Sequence, residues 1–172
     1  MFKYCGLADL LDAAAAKNEP PFLLVLDGLE DPHNFGAILR TAEAAGVHGI
    51  IIRKMRQVPV TETVYKISTG AAELVPVARV PNIAEAIRRL QDEALTVIGL
   101  EIDGKRLYNQ ADYRGGVALV VGSEGSGLAR LVKERCDEVV RLPQRGSINS
   151  LNASVATGIV LYEVLRQRGG EK

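Results

Sequence analysis

Six short apolar runs punctuate the chain, at Phe22 to Leu26, Gly49 to Ile52, Leu74 to Val77, Leu95 to Leu100, Val117 to Val121 and Glu138 to Leu142. They have the length of strands without the alternation of a strand that keeps one face wet. Near-continuous apolarity marks strands covered on both sides, the pattern of a parallel sheet. Between the runs the repeat changes to that of a helix, at Phe35 to Ala45, more weakly at Glu62 to Ser68, and at Ile83 to Gln91, Leu128 to Glu134 and Leu151 to Arg168. Strands alternating with helices predict an α/β fold, a mostly parallel sheet with helices on both faces. Asn82 followed by Glu85 has the form of a capping box at a helix start, a structural pair.

Ahead of the first run, Leu7 to Lys17 reads as a helix that Asn18-Glu19-Pro20-Pro21 ends, because proline lacks a donor and restricts the residue before it. Residues 1–21 are therefore expected to form an N-terminal helix or linker, and residues 22–172 the main domain. The length of 172 residues suits one core, and after Pro21 there is no repeat, low-complexity tract or shift of composition.

Hydrophobic residues make up 47% and charged residues 24%, which excludes a disordered chain. No apolar run approaches the roughly 20 residues that cross a bilayer, and the N-terminus lacks the blocks of a signal peptide. A cytoplasmic location with no membrane partner is expected. Cys5 and Cys136 stand far apart without CxxC spacing, and His33 and His48 supply no paired ligand spacing, so no metal is expected. Twenty-one basic and twenty-one acidic residues cancel, whereas autonomous nucleic-acid binders are often strongly basic. Phosphate contacts need only a local patch, and Arg53, Lys54 and Arg56 cluster just after a predicted strand; a phosphate-binding face and a plain solvated loop both remain open there.

Ligands of an open parallel sheet bind beyond the carboxyl ends of its strands, and three of those loops are unusual. In Asp27-Gly-Leu-Glu-Asp-Pro-His-Asn34-Phe-Gly-Ala-Ile-Leu-Arg40, Asn34 is placed to cap the following helix and Arg40 falls in its second turn, on nearly the same side as Gly36. A cap and a surface cation would be the plain alternative. In Val121-Gly-Ser-Glu-Gly-Ser-Gly-Leu128, three glycines in six positions allow close backbone approach, while Glu124 would repel a phosphate and suits a cationic or hydroxyl-bearing ligand. The spacing is not that of a dinucleotide fingerprint. In the third, Arg141 to Glu163, a polar loop leads into a helix that begins with small residues, Ala153, Ala156, Thr157 and Gly158. Small residues admit a close backbone from a partner subunit or from the same chain. Ser150, Asn152 and Ser154 exceed what one cap needs and serve either a ligand or a buried loop. A GxSxG elbow and a GxxxxGK[ST] phosphate loop are both missing, which removes triad hydrolysis and Walker-type binding.

Taken together, Asn34-Phe-Gly-Ala-Ile-Leu-Arg40-Thr-Ala, Val-Gly122-Ser-Glu124-Gly-Ser-Gly127-Leu and Leu142-Pro-Gln-Arg-Gly-Ser-Ile-Asn-Ser-Leu-Asn152-Ala-Ser154-Val-Ala resemble the three ordered motifs of the SpoU, or TrmH-like, branch of the SPOUT RNA 2′-O-ribose methyltransferases. The resemblance runs from about Phe22 to Arg168. Within the branch, Lys66-Ile-Ser-Thr-Gly-Ala-Ala-Glu-Leu-Val-Pro-Val-Ala is most similar to the enzymes that methylate a guanosine of 23S rRNA. The resemblance implies a C-terminal deep trefoil knot holding S-adenosylmethionine in a bent conformation, with S-adenosylhomocysteine as product. Pattern alone predicts an unknotted doubly wound sheet, since true knots are nearly absent among folds.

By the same resemblance, Leu100, Gly122, Leu142 and Leu151 line the cofactor pocket, and Asn34, Arg40, Glu124, Ser150 and Asn152 match the family's functional polar positions. Arg40 is the expected catalytic residue, gripping an RNA phosphate. Asn34 and Asn152 are expected to orient substrate and loops, and Glu124 to hold the knot or the donor's surroundings. RNA is the implied partner, 23S rRNA ahead of tRNA, and a homodimer through the C-terminal helix and the first motif's helix is implied, in which Arg40 completes the neighbour's site. A catalytically silent knotted protein that binds RNA or cofactor is the reading from another class. Ribosomal members usually carry an N-terminal RNA-recognition domain, and only 21 residues precede Phe22 here, as in a shortened chain or a minimal enzyme.

Overall fold

A computed structural model describes residues 2–148 and 151–171. Among them lie seven parallel strands, β1 (Phe22–Asp27), β2 (Gly49–Arg53), β3 (Val77–Val80), β4 (Thr96–Leu100), β5 (Arg106–Leu107), β6 (Val117–Gly122) and β7 (Glu138–Arg141), in the order β3-β2-β1-β6-β4-β7-β5. The central strands β1 and β6 are buried at every position, as continuous apolar runs require.

Successive strand residues point to opposite faces and build two cores. Leu24, Leu26, Ile50, Ile52, Leu119 and Val121 meet α2 (Pro32–Ala45), α3 (Glu62–Ile67) and α6 (Ala153–Gln167). Leu23, Val25, Ile51, Ala118 and Val120 meet α1 (Leu7–Ala16), α4 (Ile83–Asp92) and α5 (Arg130–Arg135). The helices thus cover both faces. On α1, Leu7, Leu10 and Ala14 are buried, and Leu10 lies where a Cβ on Gly49 would fall, so the helix is seated on the sheet.

Several boundaries differ from the sequence pattern. The run at Leu74 to Val77 is mostly not strand: a 3-10 turn, Ala71–Glu73, leads into an exposed Leu74 and a half-buried Pro76, and the strand starts only at Val77. Helix α2 begins at Pro32, with Asp31 as N-cap accepting from the His33 amide, so Asn34 is no cap. Proline at the first helical position loses no bond, since that amide has no intrahelical partner. Arg40 consequently falls in the third turn. At Asn82 the cap forms, its Oδ1 accepting from the Glu85 amide. Strand β5 is two residues long with no apolar run to announce it.

β7 is laid into a gap between earlier segments: the Glu101 and Lys105 amides donate to the carbonyls of Val140 and Val139. A Cβ on Gly104 would fall 2.3 Å from the Val140 carbonyl carbon, so only glycine lets that segment pass. The expectation of a C-terminal knot falls partly on residues 149 and 150, which lie outside the described residues.

Candidate active site

β1, β6 and β4 are neighbours, and their carboxyl ends release three loops toward one place. After β6, Ser123 and Gly127 exchange backbone hydrogen bonds at 3.1 Å in each direction, closing residues 123–127 into a tight turn. Gly127 has φ +69°, and a Cβ on Gly122 would lie 2.1 Å from its carbonyl carbon and 2.4 Å from the Leu128 nitrogen. Glycine at 122 is therefore required by backbone contact, not by flexibility.

Carboxylates hold this turn at three points. Glu124 accepts from the amides of Glu30 at 3.3 Å and Asp31 at 2.8 Å, tying the turn to the loop that starts α2. Glu101, just past β4, accepts from the Leu128 amide at 2.9 Å. Asp27, the buried last residue of β1, accepts from the Ala129 amide at 2.8 Å through Oδ2. A carboxylate that accepts from main-chain amides fixes a loop more firmly than a neutral acceptor does.

Leu100, Glu101, Val121, Gly122, Glu124, Leu142, Leu151 and Ala156 are among the residues around a pocket of about 330 Å³. Its walls are mainly aliphatic, with carboxylates and free turn amides at the rim, the mixture that binds an organic ligand bearing a few polar groups. All four expected cofactor positions, Leu100, Gly122, Leu142 and Leu151, thus share one lining with Glu124.

Of the other expected residues, Asn34, Arg40 and Asn152 do not line it. Asn34 is buried in the first turn of α2, directly after the segment that Glu124 holds. Arg40 is exposed six residues further on, roughly 9 Å along the helix, with no hydrogen bond or ion pair among the described residues. Asn152 stands at the rim between Leu151 and Ala153 and caps α6, its Oδ1 accepting from the amides of Ser154 and Val155 at 2.9 and 3.3 Å. Ser150 lies outside the described residues. The small residues of α6 divide between two duties: Ala153 and Ala156 line the pocket, while Gly158 lets the helix approach Thr41 of α2 in the same chain.

Sequence reasoning missed Asp27 and Glu101. Both are single carboxylates at the carboxyl end of an apolar strand, Asp27 buried and Glu101 half-buried, and a charge in that position was the available signal. The cysteines take no part: Cys136 is pushed up to about 12, first by burial and then by neighbouring carboxylates, and Cys5 is raised by burial. Among the described residues no group of three or more His, Cys, Asp or Glu is placed to hold a metal, and no helix is long and apolar enough to cross a membrane.

A mostly parallel sheet whose late loops close a pocket beyond β4 and β6 defines a class of α/β ligand-binding domain. The solved structure of an S-adenosylmethionine-bound rRNA methyltransferase from Sinorhizobium meliloti matches it with a TM-score of 0.83 at 32% identity, covering 95% of this chain and 61% of that one. The SpoU rRNA Methylase family matches residues 21–162, and the chain belongs to that family. It is 50% identical over 167 residues to a TrmH family tRNA/rRNA methyltransferase of Bacillus subtilis (strain 168), named as putative there, covering 97% of this chain and 67% of the relative. To the 23S rRNA (guanosine-2′-O-)-methyltransferase of Escherichia coli (strain K12) it is 48% identical over 160 residues, covering 93% of this chain and 65% of the relative. The chain spans about two thirds of the length of these relatives.

Proposed function

We propose that this chain carries the catalytic unit of an RNA 2′-O-ribose methyltransferase that uses S-adenosylmethionine, acts in the cytoplasm and takes a guanosine of 23S rRNA as its target. The observation that carries the reading is the shared lining of Leu100, Gly122, Glu124, Leu142 and Leu151 beside the loop that starts α2. Sequence kinship with the Escherichia coli enzyme supports the ribosomal target. The name of the Bacillus relative keeps tRNA as the second target.

The residues suit the methyl donor. Leu100, Leu142 and Leu151 offer apolar surface to an adenine, backbone groups at Gly122 read its polar edge, and Glu101 and Glu124 favour a ligand with positive charge. When bound, the donor supplies a sulfonium methyl group for transfer with S-adenosylhomocysteine as product. The C-terminal knot belongs to the same reading, and the seating of β7 between β4 and β5 supports it.

A ribose 2′-hydroxyl is a weak acid, so transfer needs in-line geometry and a proton acceptor. Arginine stays protonated and is no free base. Arg40 grips the phosphate beside the target ribose and stabilises the developing alkoxide, leaving the proton to that phosphate or to water. Asn34 and Asn152, with Ser150, orient the substrate and the loops. Arg40 does not line its own pocket, which favours a homodimer in which it serves the partner's pocket. The exposed apolar stripe Val155, Ile159 and Tyr162 along α6 is the surface for that pairing.

The test is incubation of the protein with methyl-labelled S-adenosylmethionine and either 23S rRNA or bulk tRNA, followed by nucleoside mass spectrometry. Labelled 2′-O-methylguanosine in 23S rRNA is expected. Label in tRNA alone would transfer the target, and cofactor binding without label in any RNA would make this a silent member. Single-turnover transfer at saturating RNA that is undiminished in Arg40→Ala would remove Arg40 from the chemistry.

A further inference from the structure

The loop between β2 and α3, residues 54–61, runs alongside the loop that starts α2 and is stitched to it. The Leu29 amide donates to Gln57 Oε1 at 2.8 Å, and the Val58 amide donates to the Leu29 carbonyl at 2.8 Å. Arg53, the last residue of β2, reaches across the same seam. Its guanidinium occupies the space a Cβ on Gly28 would need, and its Nη1 lies 3.9 Å from Asp27 Oδ1. Through Glu30 and Asp31 the stitched pair of loops continues to Glu124 at the pocket rim.

At the tip of this loop, Lys54, Met55 and Arg56 are exposed, Met55 by 76%. Neither Lys54 nor Arg56 makes a side-chain ion pair or hydrogen bond among the described residues. Arg56 holds φ +54°, a left-handed conformation that costs a non-glycine residue about 1 kcal/mol or more, and the Arg53 guanidinium donates to its carbonyl at 3.4 Å. Arg53 Nε and Asp27 Oδ1 are buried with no hydrogen-bond partner, a further cost tolerated at the same place. A chain with zero net charge thus presents two unneutralised cations on a strained tip that is linked to the pocket rim through the α2 loop and Glu124.

We infer that Lys54 and Arg56 are an RNA-contact element of this protein: they bind backbone phosphates next to the target nucleotide, Met55 lies against an adjacent base, and Arg53 positions the tip. This rests on the RNA methyltransferase reading above. Two point charges on one rigid turn suit consecutive phosphates of a single strand, and an exposed thioether offers apolar surface to an unstacked base. Phosphate contacts position without reading sequence, so the tip raises affinity for any target strand.

The test is fluorescence anisotropy of labelled 23S rRNA transcript titrated with protein at several salt concentrations, alongside calorimetry with S-adenosylmethionine. In Lys54→Gln/Arg56→Gln the affinity is expected to fall by roughly ten- to thirtyfold at 0.1 M salt, with the slope of log K against log salt shallower by roughly 1.4, about 0.7 per lost single-strand phosphate contact. Cofactor affinity stays unchanged. Met55→Ala weakens binding without changing the slope. Arg89→Gln on α4, across the sheet, alters neither. Undiminished affinity and slope in the double variant, with wild-type methylation intact, would overturn the contact and leave the function standing. Wild-type protein that methylates no RNA would take both down.

Discussion

Glu124 and Asp31 stand 93 residues apart in sequence, yet the Glu124 carboxylate accepts a hydrogen bond from the Asp31 amide at 2.8 Å. Asp31 in turn caps α2 through the His33 amide at 2.8 Å, so the glycine turn after β6 holds the start of the helix that carries Asn34 and Arg40. A carboxylate at the pocket rim thereby sets where that helix begins.

Removing the clamp should cost activity far more than stability. Glu124 is exposed, so its two hydrogen bonds contribute about 1 kcal/mol and Glu124→Ala should lower Tm by about 2–4 °C. Misplacement of the α2 loop should reduce methyl transfer by about 100-fold, with Glu124→Gln in between because its carbonyl still accepts. Single-turnover transfer and thermal melting measured together decide it, and equal rates in all three proteins would show that the clamp is idle.

Gly122→Ala should abolish cofactor binding. The new methyl group would sit on the backbone of Gly127 and Leu128, which cannot give way as a side-chain end can. Destabilisation of about 1–3 kcal/mol is expected from the overpacking. Calorimetry with S-adenosylmethionine should read no heat in a variant whose circular dichroism remains folded. Binding at wild-type affinity would mean the turn shifts freely.

His48 should make stability fall in mild acid. Its Nδ1 accepts from the Phe22 amide and its Nε2 meets Glu19, both at 2.9 Å. Burial lowers its pKa below 6.5 and outweighs the opposing pull of Glu19. The folded state therefore binds fewer protons than the unfolded chain, and the contribution is full above the unfolded value and lost as pH falls below it. The lowered carboxylates, Glu85, Asp103, Glu163 and Asp112 at about 2, lose theirs only in stronger acid, below their ordinary values of 3.8 to 4.5. Urea midpoints should drop between pH 7.5 and 5.5 in the wild type and hold nearly level in His48→Asn, which keeps an acceptor for the Phe22 amide. A wild-type midpoint equal at both pH values would contradict the assignment.

Ile159→Asp should separate the subunits of the proposed homodimer. Val155, Ile159 and Tyr162 lie on one side of α6 at 53%, 38% and 48% exposure, and a carboxylate among them would be buried by pairing. Sedimentation at assay concentration should show a dimer for the wild type and a monomer for the variant. If Arg40 serves the partner, methyl transfer should fall with dissociation. A fully active monomer would end the shared-site idea.

The strands β1, β2, β4 and β6 and the helices between them were legible along the chain, because burial on both faces writes itself as an unbroken apolar run. Leu100, Gly122, Glu124, Leu142, Leu151 and Asn152 were marked by the resemblance of the loop motifs to a known family, which is itself written locally in the sequence. Other features depend on distant partners and leave no local trace. β3 starts late because Leu74 follows a 3-10 turn, and β5 exists only because β7 pairs with it. Asn34 looked like a cap because the sequence does not say that Asp31 is fixed from 93 residues away. Asp27 and Glu101 became loop supports only when the sheet brought β1, β4 and β6 side by side. Periodicity decides what a segment buries; only the assembled fold decides which amide a carboxylate will meet.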